Sequence, residues 1–291
     1  MPVPFDVRVV TSLEDFKTLE DVQRDAWAMA DIDIMPLHSF RTFAHNGGVT
    51  LAAFLPDGGI AGFVLGLPGF SEAYTAIQGM PSYHVSFMMG VRRRWQVHGV
   101  GTALKTAQRD HVLAQGLRLV VWTYDPLLAL NAHLNIRRLG AVVRRYTRNL
   151  YGAMTGINAG LESDRFEVEW WIASRRVARA VRGGTQPVPP RELPLLNPVR
   201  VNADGLPIPP EGFSRPDAQQ VQVEIPADFN AIKAVDMGLA SAWRAHSRAL
   251  FEAALGAGYT VTDFQRDQGR ALYTLTHGLD VSRMAGGQDE D

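Results

Sequence analysis

Gln96-Val97-His98-Gly99-Val100-Gly101-Thr102 is the stretch of this 291-residue chain whose residue types and spacing best suit chemistry. Glycine costs about 1 kcal/mol relative to alanine inside a helix. Yet Gly99 and Gly101 stand at the mouth of a helical pattern in which Val100, Ala103, Leu104, Ala107 and Ala114 share an apolar face before Gly116 stops it. The residues ahead, "SYHVSFMMGV" (82–91), read as a strand. A strand that exits through glycines into a helix has a physical use. The first-turn N–H groups have no intrahelical partners, the helix dipole adds partial positive charge, and glycine lets a phosphate approach the backbone. The pattern predicts a cradle of main-chain amides over Gln96, Val97, His98, Gly99, Val100 and Gly101, with the Thr102 hydroxyl as a further donor. The alternative is that the two glycines only permit close helix–strand packing. The Lys-Ser/Thr ending of a P-loop is missing, as are the third spaced glycine and the ribose-binding acid of a dinucleotide fold.

Two other groups of residues have the types for anion work. Arg92-Arg93-Arg94, just ahead of the cradle, either meet an anion such as a phosphate or form a solvated turn. Arg244 and Arg248, at i and i+4 of a predicted helix, face the same way and either clamp a carboxylate or snorkel at the surface.

The chain around these residues has ordinary globular composition: 46% hydrophobic, 20% charged, formal net charge −1. That balance argues against a nucleic-acid partner, which would call for a basic stripe. Cysteine is absent, which removes disulfides, thiolate metal sites and a cysteine nucleophile. The eight histidines fall into no ligand spacing, so no metal is expected. "MPVPFDVRVV" lacks the features of a signal peptide and no segment reaches the ~18 apolar residues of a membrane helix, so the expectation is a soluble cytoplasmic protein with no membrane partner.

The elements that must position the cradle can be read in order. "VRVVTS" (7–12) is a strand, Ser12 caps a helix from about Leu13 to Met29, and "LHSFRTFAH" is a helix stopped by Asn46-Gly47-Gly48. A hairpin turns at Pro56-Asp57-Gly58-Gly59. After the strand–cradle–helix unit, "LRLVVWTY" is a buried parallel strand, "PLLALNAHLNIRRLG" a helix and "AVVRRYTRNLYG" a strand. "DRFEVEWWIA" (164–173) adds a strand and "SRRVARAVRGG" a helix. A Pro-rich connection occupies 184–216. "VQVEIP" is then a strand, Asp228 caps one long helix reaching about Gly256, and "YTVTDFQ" and "ALYTLTH" flank a turn at Asp267-Gln268-Gly269. The expected domains are a core over 1–183 with one added strand and helix, the connection at 184–216, an α+β region over 217–282 and a disordered tail at 283–291.

"MGVRRRWQVHGVGTALK" and "VVWTYDPLLALNAHLNIRRLGA", in this order and after a β-α-α-β-β-β run, resemble the Gcn5-related N-acetyltransferase (GNAT) superfamily across about residues 5–152. More narrowly, "WTYDPL", "YTRNLYG" and "VEWW" are similar to a GNAT branch with a C-terminal extension, some members of which are associated with N-succinylation of amino acids. The resemblance implies an α/β fold, a mixed β-sheet flanked by helices, with an additional C-terminal α+β region. It implies acetyl-CoA or another acyl-CoA as co-substrate, its pyrophosphate in the cradle. The pantetheine arm would lie between strands 84–91 and 117–124, pairing with main-chain groups of Met88 to Val91, Met89 and Val91 among them, and Asn131 would be placed to bond its amides. Asn131 falls two residues from the family's usual asparagine, and a helix-start polar residue is the other reading.

In the reaction so implied, a neutral amine attacks the thioester, a strand N–H holds the oxyanion and the departing thiolate takes a proton. The family's usual proton donor is a tyrosine at the position occupied here by Ile136, so that role is not carried over. Tyr124 is the substitute, or else a core tyrosine at a strand end. His84 is the candidate base, or else a partnered structural histidine, and Ser86, on the same strand face, is a candidate acceptor contact. Glu169, with Glu167 on its face, is a candidate acceptor contact, or else a solvated strand acid. Arg244 is the candidate for an acceptor or acyl carboxylate. The sequence thus predicts an N-acyltransferase acting on a small-molecule amine, an amino acid first, with acetyl or succinyl as the acyl group and a homodimer among the options. The competing class is a non-catalytic acyl-CoA-binding or sensor protein.

Overall fold

A computed structural model of the chain describes residues 5–153, 160–183, 193–267 and 269–287. These fall into two compact units: the first runs to Trp122 and includes Trp171–Ala173, and the second holds the rest.

The first unit is a mixed sheet with helices on both faces. In chain order it comprises β1 (Asp6–Val9), α1 (Leu13–Trp27), α2 (Leu37–His45), β2 (Val49–Phe54), β3 (Ile60–Phe70), the single turn α3 (Thr75–Gln78), β4 (Ser82–Val91), α4 (Val100–Ala114) and most of β5 (Leu119–Tyr124). The strands lie in that order, antiparallel from β1 to β4 and parallel between β4 and β5. Alternation along β2 divides the core. Ala52 and Phe54, with Phe63 and Leu65 of β3, pack under Phe16, Leu19 and Val22 of α1 and Phe40 of α2. Val49, Leu51 and Ala53, with Val64 of β3, pack under Val100 and Leu104 of α4. Ser12 caps α1, its hydroxyl accepting from the Asp15 N–H at 3.0 Å.

The second unit carries α5 (Ala129–Ala132), which runs into a π-helical turn at His133–Arg138, then β6 (Val142–Thr147), β7 (Arg165–Trp171) and α6 (Arg175–Val181). The short pair β8 (Arg200–Val201) and β9 (Pro207–Ile208) follows, then β10 (Gln220–Ile225), α7 (Phe229–Val235), α8 (Met237–Gly256), β11 (Tyr259–Asp267), β12 (Arg270–His277) and α9 (Val281–Ala285). Its sheet runs β7-β6-β11-β12-β10, antiparallel throughout. The core of this unit is aromatic: Phe166 meets Phe251, Tyr273, Tyr124 and Tyr146 edge-on, with centroids 4.7–5.9 Å apart.

The element order through β6, with helices flanking a mixed sheet, is the α/β arrangement expected from the sequence, and the elements from β7 onward add a further α+β region. The structure corrects several element readings. The single helix from Asp228 to Gly256 is two: Asp228 caps α7, whereas Asp236 adopts an extended backbone and its carboxylate caps α8 by accepting from the Leu239 N–H at 2.9 Å. The helix before Gly140 is α-helical only over Ala129–Ala132; the Leu139 N–H then reaches back five residues to the Leu134 carbonyl at 2.9 Å. The buried face of α4 is Val100, Leu104, Lys105, Gln108 and Val112, so two polar residues share it and Ala103 and Ala107 lie at its margin. Residues 184–192 of the Pro-rich connection, Gln268 of the last turn and residues 288–291 of the tail lie outside the described residues; α9 takes up part of the region expected as tail.

Candidate active site

The cradle residues form one continuous turn. β4 ends at Val91, a single 3-10 turn covers Arg93–Trp95, and α4 begins at Val100. The Gln96 side chain reaches back to donate to the Val91 carbonyl at 3.1 Å, and the His98 Nδ1 lies 2.6 Å from the Gln96 carbonyl. Val97 and Gly99 both take left-handed backbone, at φ 59° and 83°. Gly99 does so freely, whereas Val97, β-branched and 86% exposed, does so at a cost. The turn delivers a helix end without a side-chain cap: the N-cap is Gly99, no acid lies in the first turn of α4, and the Ala103 N–H bonds the Gly99 carbonyl at 3.0 Å. The N–H groups of Val100, Gly101 and Thr102 therefore open outward with the dipole behind them. Arg92 is committed to the fold, donating to the Ile60 carbonyl at 2.9 Å and lying 3.6 Å from Asp25; Arg93 and Arg94 remain exposed beside the turn.

β4 is irregular where the sequence places Ser86. Leu65 pairs with Met88 and Gly66 with Ser86, so Phe87 is an extra residue, a β-bulge. The parallel ladder to β5 joins His84 to Val120 and Val85 to Val121; among the described residues it does not continue past the bulge to Met88, Met89, Gly90 or Val91. The bulge also re-aims the strand, so that His84, Ser86, Met89 and Val91 all turn toward the α4 side.

Beneath that bulge lies a polar layer. His84 is fully buried, its Nε2 3.3 Å from Gln108 Nε2 and its Nδ1 without a partner. Burial, with help from Lys105 and His111, lowers its pKa to about 3, so the ring is neutral throughout the physiological range and too weak a base to hold an amine's proton there. Ser86, also buried, accepts a hydrogen bond from Lys105 Nζ at 2.6 Å. The spacing of Val100, Leu104 and Ala107 gave no sign of Lys105; a lysine one step from the apolar stripe reads by default as surface.

Tyr124, Asn131, Glu169 and Arg244 belong to the second unit. The Tyr124 hydroxyl is buried 3.1 Å from that of Tyr273, which donates to the Pro126 carbonyl at 2.8 Å; burial raises the Tyr124 pKa and keeps the group protonated. Asn131 is exposed on α5. Glu169 is not a solvated acid: it is buried in β7, and Arg144 holds both its oxygens at 3.0 and 2.7 Å. Arg244 and Arg248 do clamp carboxylates, but the chain's own. Arg244 takes Asp125 in a two-point pair at 3.0 and 2.5 Å, and Arg248 takes Asp164 at 2.8 and 2.7 Å and Glu162 at 2.5 Å. Asp125, which nothing in the spacing singled out, is the partner that fixes Arg244. Ile136 is buried within the π-helical turn. Trp170 and Trp171 are both buried.

No protein-family model and no curated protein matches the chain. Solved structures similar to it include Arabidopsis thaliana NAA60 in complex with acetyl-CoA, at 18% identity and TM-score 0.47, covering 58% of this chain and 99% of that one. An N-acetyltransferase from Staphylococcus aureus matches at 16% identity and TM-score 0.46, with the same two coverages. The phosphinothricin acetyltransferase of Sinorhizobium meliloti, in complex with acetyl-CoA, matches at 16% and 0.44, over 58% of this chain and 88% of that one. Among the described residues no helix is long and apolar enough to cross a membrane, and no group of three or more His, Asp or Glu is placed to hold a metal ion.

Proposed function

We propose that the chain is an acyl-CoA-dependent N-acyltransferase working by direct transfer to the amine of a small molecule, with an amino acid as the first acceptor class and acetyl or succinyl as the acyl group. The observation that carries this is the bulged β4 running through a strained turn into the start of α4, which has no side-chain cap. That arrangement offers three outward N–H groups for a pyrophosphate and, some residues upstream, a run of β4 main chain outside the β4–β5 ladder. A thioester-bearing arm extended along Met88–Val91 would find main-chain donors for its amides and for the carbonyl oxygen that becomes the oxyanion. The neutral amine attacks that carbonyl, the C–S bond breaks and the thiol leaves. Gln96, Val97, His98, Gly99, Val100, Gly101 and Thr102 hold the pyrophosphate end.

One observation favours a non-catalytic acyl-CoA-binding protein instead: the position of the family's acid is a buried isoleucine, and the substitute Tyr124 has its hydroxyl engaged by Tyr273. Turnover separates the two. The protein is incubated with acetyl-CoA or succinyl-CoA and a panel of amino acids and other amines, and free thiol is followed. Acceptor-dependent thiol release supports the enzyme; tight CoA binding with no release from any acceptor supports the sensor. Gly101→Val should weaken coenzyme A binding by about tenfold or more in a folded protein, because a branched side chain in the first turn occupies the anion's place. Unchanged affinity would overturn the cradle.

A further inference from the structure

The layer between β4 and α4 contains more polarity than packing needs. Lys105 is 2% exposed, and its Nζ lies 2.6 Å from Ser86 Oγ, 3.3 Å from Gln108 Oε1 and 3.6 Å from the centre of the Trp122 ring. Gln108 continues the chain to His84 at 3.3 Å. β3 makes room for this group: a Cβ on Gly66 would sit 1.9 Å from His84 Nε2 and 2.8 Å from Gln108 Nε2. A methionine or leucine on α4 would fill the same volume without removing an amine from water. The cluster also ends at a chemically pointed place. Ser86 is the last residue of β4 before the bulge, directly ahead of the Met88–Val91 segment to which the acyl-transfer reading assigns the thioester.

From this geometry we infer that Ser86 and Lys105 form a proton relay for acyl transfer, Ser86 touching the acceptor amine and Lys105 acting through it. The inference rests on the acyl-transfer reading. The acceptor ammonium gives one proton to Ser86 Oγ as the Ser86 hydroxyl passes its own to Lys105 Nζ. The amine so formed makes the N–C bond, the C–S bond breaks, and the second nitrogen proton leaves with the sulfur as thiol. Lys105 returns its proton to water through Ser86 before the next turnover. Burial holds the Lys105 pKa well below its ordinary value, which favours the neutral amine the relay needs, and the face of Trp122 lies 3.6 Å from Nζ to meet the positive charge that results. Among the described residues of the first unit, the titratable groups facing this pair from the elements packed against it are these. β4 contributes His84, already neutral, and α4 contributes His111 a turn and a half further on. β2 and β3 contain none, and β1 places Val7 on the α4 side, which turns Asp6 and Arg8 away. Gln108 Oε1 accepts one hydrogen of the Lys105 amine at 3.3 Å, which restrains the rotation of Nζ.

Lys105→Met and Ser86→Ala test the relay. Met fills the lysine's volume without the amine, so folding and coenzyme A affinity should persist within about threefold, while kcat/KM at pH 7 for the best amine of the panel falls by about 100-fold or more. The loss should shrink at pH values where the acceptor is itself neutral, and Ser86→Ala should show the same pH profile. A structural role would give a loss that is equal at every pH, or none at all, and either overturns the relay while leaving acyl transfer standing. A second readout is independent of turnover. The chain has three lysines, Lys17, Lys105 and Lys233. In protein labelled with 13C-lysine, the signal that disappears in Lys105→Met should be that of a neutral amine at pH 7.5. An ammonium at that pH overturns the relay, even if no acceptor is found. Failure to bind coenzyme A overturns both readings.

Discussion

A glycine and a histidine on neighbouring strands show how tightly the candidate site is built. Gly66 is needed not for an unusual backbone angle but because His84 and Gln108 occupy the space a side chain would take. Gly66→Ala forces its Cβ into the imidazole, an overpacking that should lower stability by about 2 kcal/mol in urea denaturation. The double variant Gly66→Ala/His84→Ala should recover part of that loss, because the imidazole is the nearer of the two groups the new Cβ meets, at 1.9 Å against 2.8 Å for the Gln108 amide. Strictly additive losses would mean that the crowding lies elsewhere. Glu169 and Arg244 show the complementary lesson. Both were candidates for substrate contact, and each is already held by a two-point ion pair inside its own unit, with Arg144 and Asp125. Positioning neighbouring residues is what such pairs do well.

The two long-helix readings separate what an element shows in sequence from what it does not. α2 runs from Leu37 to His45 as expected, because Asn46-Gly47 is a strong stop. β2, β3 and β4 fall where their apolar runs end in turn residues. The break between α7 and α8 has no Pro, and its one nearby glycine, Gly238, falls inside the first turn of α8. Its signal is one aspartate in an otherwise helical pattern, and a mid-helix Asp is indistinguishable from a cap until the backbone is seen. Asp236→Ala should therefore destabilise the second unit by about 1 kcal/mol, and Asp236→Asn should cost much less, since asparagine caps equally well. Equal losses would show that the carboxylate acts through charge instead. The turn from β4 into α4 was legible because glycine spacing, strand exit and helix start coincide within seven residues. The Lys105 layer was not, since burial of a lysine depends on Ser86, Gln108 and Trp122, which approach it only in the folded sheet.

For the molecule as a whole, the buried titratable groups set how it responds to acid. His84 in the first unit has a folded pKa depressed to about 3 against about 6.5 unfolded. Its contribution is complete above pH 6.5 and is lost as the pH falls toward 3, because the unfolded chain takes up the proton first. In the second unit burial of Asp164 is outweighed by hydrogen bonds from Arg248, Tyr146 and the Asn149 amide, so its pKa is lowered and its contribution is lost only below about pH 4. The urea midpoint should thus fall gradually from pH 6.5 and more steeply below 4. Asp164→Asn should reduce the steep part, to which Glu252 and Asp280 also contribute, while costing about 3 kcal/mol at pH 7 by leaving Arg248 short of its buried partner. A midpoint unchanged from pH 7 to 5 would contradict a neutral, buried His84. The π-helical turn at His133–Arg138 has a consequence for chain length. Its bonds span five residues where an α-helix spans four, so the segment holds one residue more than its span requires. Deleting that residue, unlike any substitution, would let the helix close regularly. It would also rotate every side chain on one side of the deletion relative to Leu139 and Gly140, which makes this turn the place where an insertion or loss of one codon would change which side chain stands at the position of Ile136.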